Sequence, residues 1–126
     1  MPEDEITERE KLKGRVLVAK ELVAYQEGSV VSREIVRGGA GTVSAFAFDE
    51  GEGLSEHTAP FDALVHVIDG AVEVTIAGEA LRLREGEMVI MPAGKPHALK
   101  ALGRFKMVLT LIRDQKIHDP GSGTVT

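Results

Sequence analysis

The sequence predicts an all-β domain, a sandwich or barrel of many short strands. Apolar runs of four to eight residues, rich in Val and Ile, recur along the chain, and glycine-centred breaks separate them at short intervals. After residue 14 no stretch carries a convincing helical period. Short strands with turns every eight or so residues are the pattern of sandwiches and barrels.

The elements follow in order. Residues 1–14 form a charge-dominated extension ending at Gly14, in which Ile6 to Leu12 has room for one or two helical turns. Such turns are too short to hold unaided. Val16–Val18 and Glu21–Ala24 are short strand candidates. Val30–Val36 follows the Glu27-Gly28 turn, and Thr42–Phe48 follows Gly38-Gly39-Ala40-Gly41. Ala63–Ile68 leads into Asp69-Gly70, and Ala71–Ile76 follows it. Asp-Gly between two β-branched runs is a strong hairpin signal, so these two runs are expected to pair. Ala71–Ile76 then leads into Ala77-Gly78-Glu79, Ala80–Leu83 into Glu85-Gly86-Glu87, and Met88–Met91 stops at Pro92. His97–Ala101 and Phe105–Ile112 flank Gly103. The domain is expected over residues 15–113. Residues 114–126, with Asp119-Pro120-Gly121-Ser122-Gly123, form a tail.

Composition narrows the function classes. A chain of 126 residues fits one domain with a real core. A formal net charge of −5 and a pI near 5.4 argue against a nucleic-acid or anionic-membrane surface. Cysteine is absent, which removes disulfides, thiolate metal sites and a cysteine nucleophile. The acidic N-terminus, Met1-Pro2-Glu3-Asp4-Glu5, lacks the apolar core of a secretory signal, and no apolar stretch nears the roughly 20 residues that cross a bilayer. A cytoplasmic protein is the expectation. No Ser/His/Asp order, phosphate-binding glycine loop or nucleotide fingerprint is present.

Two spaced motifs stand out. The first is Gly51-(five residues)-His57-x-Ala59-(three residues)-Ala63-(six residues)-Gly70. The second is Gly86-(five residues)-Pro92-x-Gly94-(two residues)-His97, with Ala101 where a terminal Asn would close it. Together they resemble the two conserved motifs of the small single-domain cupins, and the likeness extends through flanking strands to about residues 20–112. The resemblance implies a double-stranded antiparallel β-barrel of jelly-roll type. It also implies a divalent transition metal (Mn, Fe, Zn or Ni) held by His-x-His and a carboxylate or His of the first motif, plus one His of the second.

Here only His57 and His97 occupy ligand positions. Ala59 and Ala63 replace the other two. Two imidazoles leave most of a first-row ion to water. Asp62 and His66 are weaker candidates. On a regular strand Asp62 faces away from its neighbour Ala63, although the Ala59-Pro60-Phe61 turn could shift the register. His66, three residues beyond Ala63, also turns outward. His118 belongs to the tail. Met88, Met91 and Met107 read as soft core filler. Tyr25, Arg104 and Lys106 could reach a carboxylate on a ligand.

Two functions of different class follow. One is a binding or sensing module with His57 and His97 as polar anchors for a small molecule. The other is a metal-dependent enzyme of dioxygenase, isomerase or decarboxylase type; a purely structural dimer stands third. A homodimer is expected in either case, because Val30-Val31, Ile35-Val36 and Val108–Ile112 carry more apolar surface than one narrow interior absorbs.

Overall fold

The computed structural model describes residues 7–113. Nine strands build it: β1 (Val30–Gly38), β2 (Gly41–Phe48), β3 (Gly53–His57), β4 (Asp62–Asp69), β5 (Ala71–Ile76), β6 (Glu79–Arg84), β7 (Met88–Met91), β8 (His97–Ala101) and β9 (Phe105–Ile112). They form two antiparallel sheets, ordered β1-β2-β9-β4-β7 and β3-β8-β5-β6. The sheets face each other as a jelly roll and are not joined into one continuous hydrogen-bonded barrel.

Alternation of side chains along the strands sets what lies between the sheets. On β4, Ala63, Val65 and Val67 are buried, and on β5, Val72 and Val74. Burying each valine contributes roughly 1.5–3 kcal/mol. One end is plugged by aromatics, with the Phe48 and Phe105 rings stacked at 4.7 Å between centroids. Strands β4 and β9 run from that plug to an open mouth at Ala63 and Leu111.

The expected pairing across Asp69-Gly70 is not made. Strand β4 pairs with β7 and β9, whereas β5 pairs with β6 and β8, so the chain changes sheet at Gly70. Gly70 has a φ of 74°, and a Cβ there would run into the Arg104 carbonyl oxygen. Glycine is required for close passage over the β8–β9 connection, which is a different use of the same residue. Hairpins do form at Gly39-Ala40 and at Ala77-Gly78, where both residues of the latter turn have positive φ.

The two N-terminal strand candidates also differ from expectation. Val16–Val18 is outside any ladder, with Val16 95% exposed, and Ala19–Glu21 is a 3-10 turn. The outer edge of β1 is left open, and the segment that follows lies across the sheet face instead. Val23 packs there on Ala45 and Ala47, with Leu22, Tyr25, Val31 and Ile35 around them. The extension contributes a second 3-10 turn, Glu10–Leu12, tied to β1 by Arg9 Nη1 donating to Glu34 Oε1 at 2.9 Å. The sequence-predicted tail, with His118, lies outside the described residues.

Candidate functional site

Strand β3 is the element the sequence hides and the site depends on. Gly-Leu-Ser-Glu-His has one apolar residue and lies mostly exposed on a sheet edge. Its register with β8 pairs Leu54 with Leu99 and then His57 with His97. Three steps on β3 therefore match two on β8, the signature of a β-bulge. Were β3 regular over these three steps, His57 would stand at an odd offset from inward-facing Leu54 and point to solvent. The bulge brings it to the mouth.

His66 shows the opposite case. It stands at the same odd offset from Ala63, but β4 pairs regularly with β7 over this stretch, from Ala63–Met91 to His66–Met88. His66 accordingly faces outward. Asp62 also points away from the cavity, where its Oδ1 accepts from the Ala93 amide at 2.8 Å. With Gly94 donating to the Ala59 carbonyl at 2.8 Å, this stitches the loops on either side of the mouth. Neither Asp62 nor His66 lines the cavity.

His97, at the start of β8, is 3% exposed, while His57 sits exposed on the rim. Each ring is held by the same local device. His57 Nδ1 lies 3.0 Å from the Ser55 carbonyl oxygen, and His97 Nδ1 lies 3.2 Å from that of Lys95. A carbonyl oxygen only accepts, so Nδ1 is the donor in each contact, and a ring in its neutral form then has a bare Nε2. Those two Nε2 atoms stand 3.2 Å apart, with the rings edge to face at 4.4 Å. Burial lowers the His97 pKa below the ordinary imidazole value, and the neighbouring His57 lowers it further. The Lys95 carbonyl opposes both.

Behind the pair opens a cavity of about 360 Å³, walled largely by Leu54, Phe61, Met91, Leu99, Leu109 and Leu111. Ala59 and Ala63 line it as well, and Thr58 is its remaining polar side chain. Met91 and Met107 serve as both core and cavity lining, whereas Met88 is 58% exposed on the outer sheet face and fills no core. Tyr25, Arg104 and Lys106 do not reach the cavity. They gather near the opposite end, where Tyr25 donates to Asp69 and lies beneath Arg104 and Lys106. Among the described residues no three His, Cys, Asp or Glu side chains meet as a metal-holding group. The sequence reading missed the apolar wall, although the alternation Met107-x-Leu109-x-Leu111 signals its β9 side.

Residues 45–113 match the cupin domain family. This chain is a cupin. A conserved protein of unknown function from Streptococcus pyogenes has a similar structure at 33% identity and TM-score 0.77, covering 81% of this cupin and 90% of that chain. A cupin superfamily protein from Desulfitobacterium hafniense is similar at 28% identity and TM-score 0.77, covering 81% and 94%. A cupin 2 conserved barrel domain protein from Leptotrichia buccalis is similar at 38% identity and TM-score 0.72, covering 75% and 46%. No curated protein matches. The metal-bearing cupin pattern finds half its donors here. The 3.2 Å between the Nε2 atoms could be spanned by two metal–nitrogen bonds of roughly 2.0–2.1 Å. The methyl groups of Ala59 and Ala63 supply nothing to the remaining positions.

Proposed function

We propose that this cupin is a small-molecule binding module whose ligand sits in the mouth cavity, anchored by His57 and His97. The observation that carries the reading is an apolar cavity of about 360 Å³ with two fixed imidazoles converging at one side. Ligand pockets are commonly of this size and this polarity, largely pre-formed with a few placed polar groups. The test is ligand-observed NMR with toluene and indole as probes, on the wild type and on Ala63→Phe, which fills the cavity. Saturable binding lost in the variant supports the reading, and no saturable binding by the wild type would sink it.

A second reading, a metal-dependent enzyme, is favoured by one observation. Each imidazole donates its Nδ1–H to a carbonyl and so presents Nε2, the arrangement that commonly orients metal-ligating histidines. His57 and His97 would hold the ion, and the ion would supply Lewis-acid polarisation of a substrate oxygen. Elemental analysis of protein purified without a histidine tag decides this reading. A stoichiometric transition metal favours it, and none counts against it.

For assembly we propose a homodimer. Part of the apolar surface that suggested one is covered within the chain, since Val31 and Ile35 lie under the N-terminal segment. Val36 on β1 stays 55% exposed, and the outer face of β7, β4 and β9 carries Met88 and Ile90 at 58% and 59% exposure and Ile112 at 58%. Leu64, His66 and Val108 lie between them in register. The middle of this patch, Leu64, His66, Ile90 and Val108, carries no carboxylate or ammonium, and exposed Asp62 stands at its margin opposite Ile112.

A further inference from the structure

The hydrogen-bonding character of the mouth specifies more than its size does, on the premise that the cavity is a ligand site. Both Nδ1 atoms are committed as donors, at 3.0 and 3.2 Å, to carbonyls two residues upstream. The polar atoms the histidines present are therefore two acceptors, 3.2 Å apart and facing each other. While both rings are neutral, two lone pairs at this distance repel, and no ring proton is left to place between them. A donor from elsewhere relieves the repulsion and satisfies both nitrogens. Thr58 contributes one neutral hydroxyl, and among the described residues no Lys, Arg, Asp or Glu lines the cavity. A carboxylate entering it would meet acceptors and hydrocarbon, and lose its hydration without a countercharge.

We infer that the pocket selects a neutral, largely apolar molecule carrying a hydroxyl or N–H donor, which hydrogen-bonds to the paired Nε2 acceptors, and that it excludes carboxylates. A phenol is the simplest member of the class. Its ring lies against Leu54, Leu99 and Leu109 while its hydroxyl hydrogen is shared by His57 and His97. The apolar wall gives little shape-independent discrimination among hydrocarbons, so selection falls on the one donor.

The experiment titrates the full-length, chelator-treated protein with three probes of similar shape: p-cresol, 4-methylanisole and p-toluate. The expected result is p-cresol binding roughly tenfold tighter than 4-methylanisole, which lacks the donor, with no binding of p-toluate over the same range. In the double variant His57→Ala, His97→Leu the cresol preference disappears. A second measurement does not rely on the variant folding: imidazole ¹⁵N spectra of the wild type. Both Nε2 atoms are expected in the unprotonated, pyridine-like position, shifting on addition of p-cresol and not of 4-methylanisole. Equal binding of cresol and methylanisole, binding of toluate, or a protonated Nε2 in the free protein overturns the donor assignment while leaving the cavity as a ligand site. Failure of all three probes to bind removes the ligand-site reading and this inference with it.

Discussion

Tyr25 and Asp69, 44 positions apart, are joined by a 2.6 Å hydrogen bond from the phenol to Oδ2. The bond fastens the N-terminal segment to the end of β4. The Lys106 ammonium lies 4.8 Å and the Arg104 guanidinium 5.2 Å from the ring centre, and Arg104 Nε donates to Asp49 at 2.9 Å. Burial raises the Tyr25 pKa above the ordinary phenol value, the bond to Asp69 and its charge raise it further, and Arg104 opposes them. A raised folded pKa means stability is fully present below the unfolded value of about 10 and is lost as pH rises beyond it. Tyr25 is the sole tyrosine and tryptophan is absent, so ultraviolet absorbance reports this phenol alone. Its ionisation should be delayed above that of free tyrosine and coincide with loosening of the segment. Tyr25→Phe should cost about 0.5–1.5 kcal/mol in denaturant unfolding and leave p-cresol binding unchanged.

His97 carries the opposite sign. Its folded pKa is depressed, so the unfolded chain takes up protons first as pH falls below about 6.5. Melting temperature should drop from neutral pH toward about pH 5.5, and His97→Gln should flatten that slope. His97→Ala should destabilise by about 1–3 kcal/mol because the residue is buried, whereas His57→Ala on the rim should change stability little. Equal losses in the two variants would contradict the asymmetry.

Restoring donors at the two alanines should restore metal affinity. Ala59→His with Ala63→Glu places an imidazole and a carboxylate in the cavity beside the existing pair. Ala63 is 2% exposed, so the larger side chain should cost on the order of 1–3 kcal/mol in the apo protein. Calorimetric titration with Mn²⁺, Zn²⁺ and Ni²⁺ should show binding at least about tenfold tighter than in the wild type, strengthening as pH rises toward about 8. Tight stoichiometric binding by the wild type would instead favour the enzyme reading.

Self-association through the β7–β4–β9 face predicts a dimer by sedimentation equilibrium at micromolar concentration. Ile90→Lys, which puts a charge in the middle of the patch, should give a monomer with an unchanged circular dichroism spectrum. A wild-type monomer would sink the proposal.

The Ala77-Gly78 turn offers an independent check on the backbone. Ala77 has a φ of 49°, the left-handed region, and Gly78 a φ of 86°. Asn is better suited to that first position, so Ala77→Asn should stabilise the protein by about 0.5–1 kcal/mol in thermal or denaturant unfolding.

Much of this was legible in the sequence. β-branched runs and glycine spacing announced eight of the nine strands, and the motif spacing brought His57, Ala59, Ala63 and His97 to one cavity, as found. Strand parity alone placed His66 and Asp62 outside it. What stayed hidden has physical causes. Strand β3 buries almost nothing and so leaves no hydrophobic period to read. Asp69-Gly70 has the chemistry of a tight turn, and local chemistry does not say whether the two strands stay in one sheet. Val16–Val18 has strand propensity, yet it joins neither outer strand of the five-stranded sheet, β1 or β7. The committed Nδ1 atoms depend on where two carbonyls point, which only the folded backbone determines.

The extra residue in β3 bears on how much change in chain length this site can absorb. Deleting Ser55 or Glu56 would remove the bulge and leave His57 two residues from Leu54, on the same inward face and still opposite His97. The histidine pair therefore tolerates the loss of one residue here, because the bulge absorbs a length that the site does not need. Relatives that keep both histidines but have one residue fewer between Leu54 and His57 would present the same pair from a regular strand.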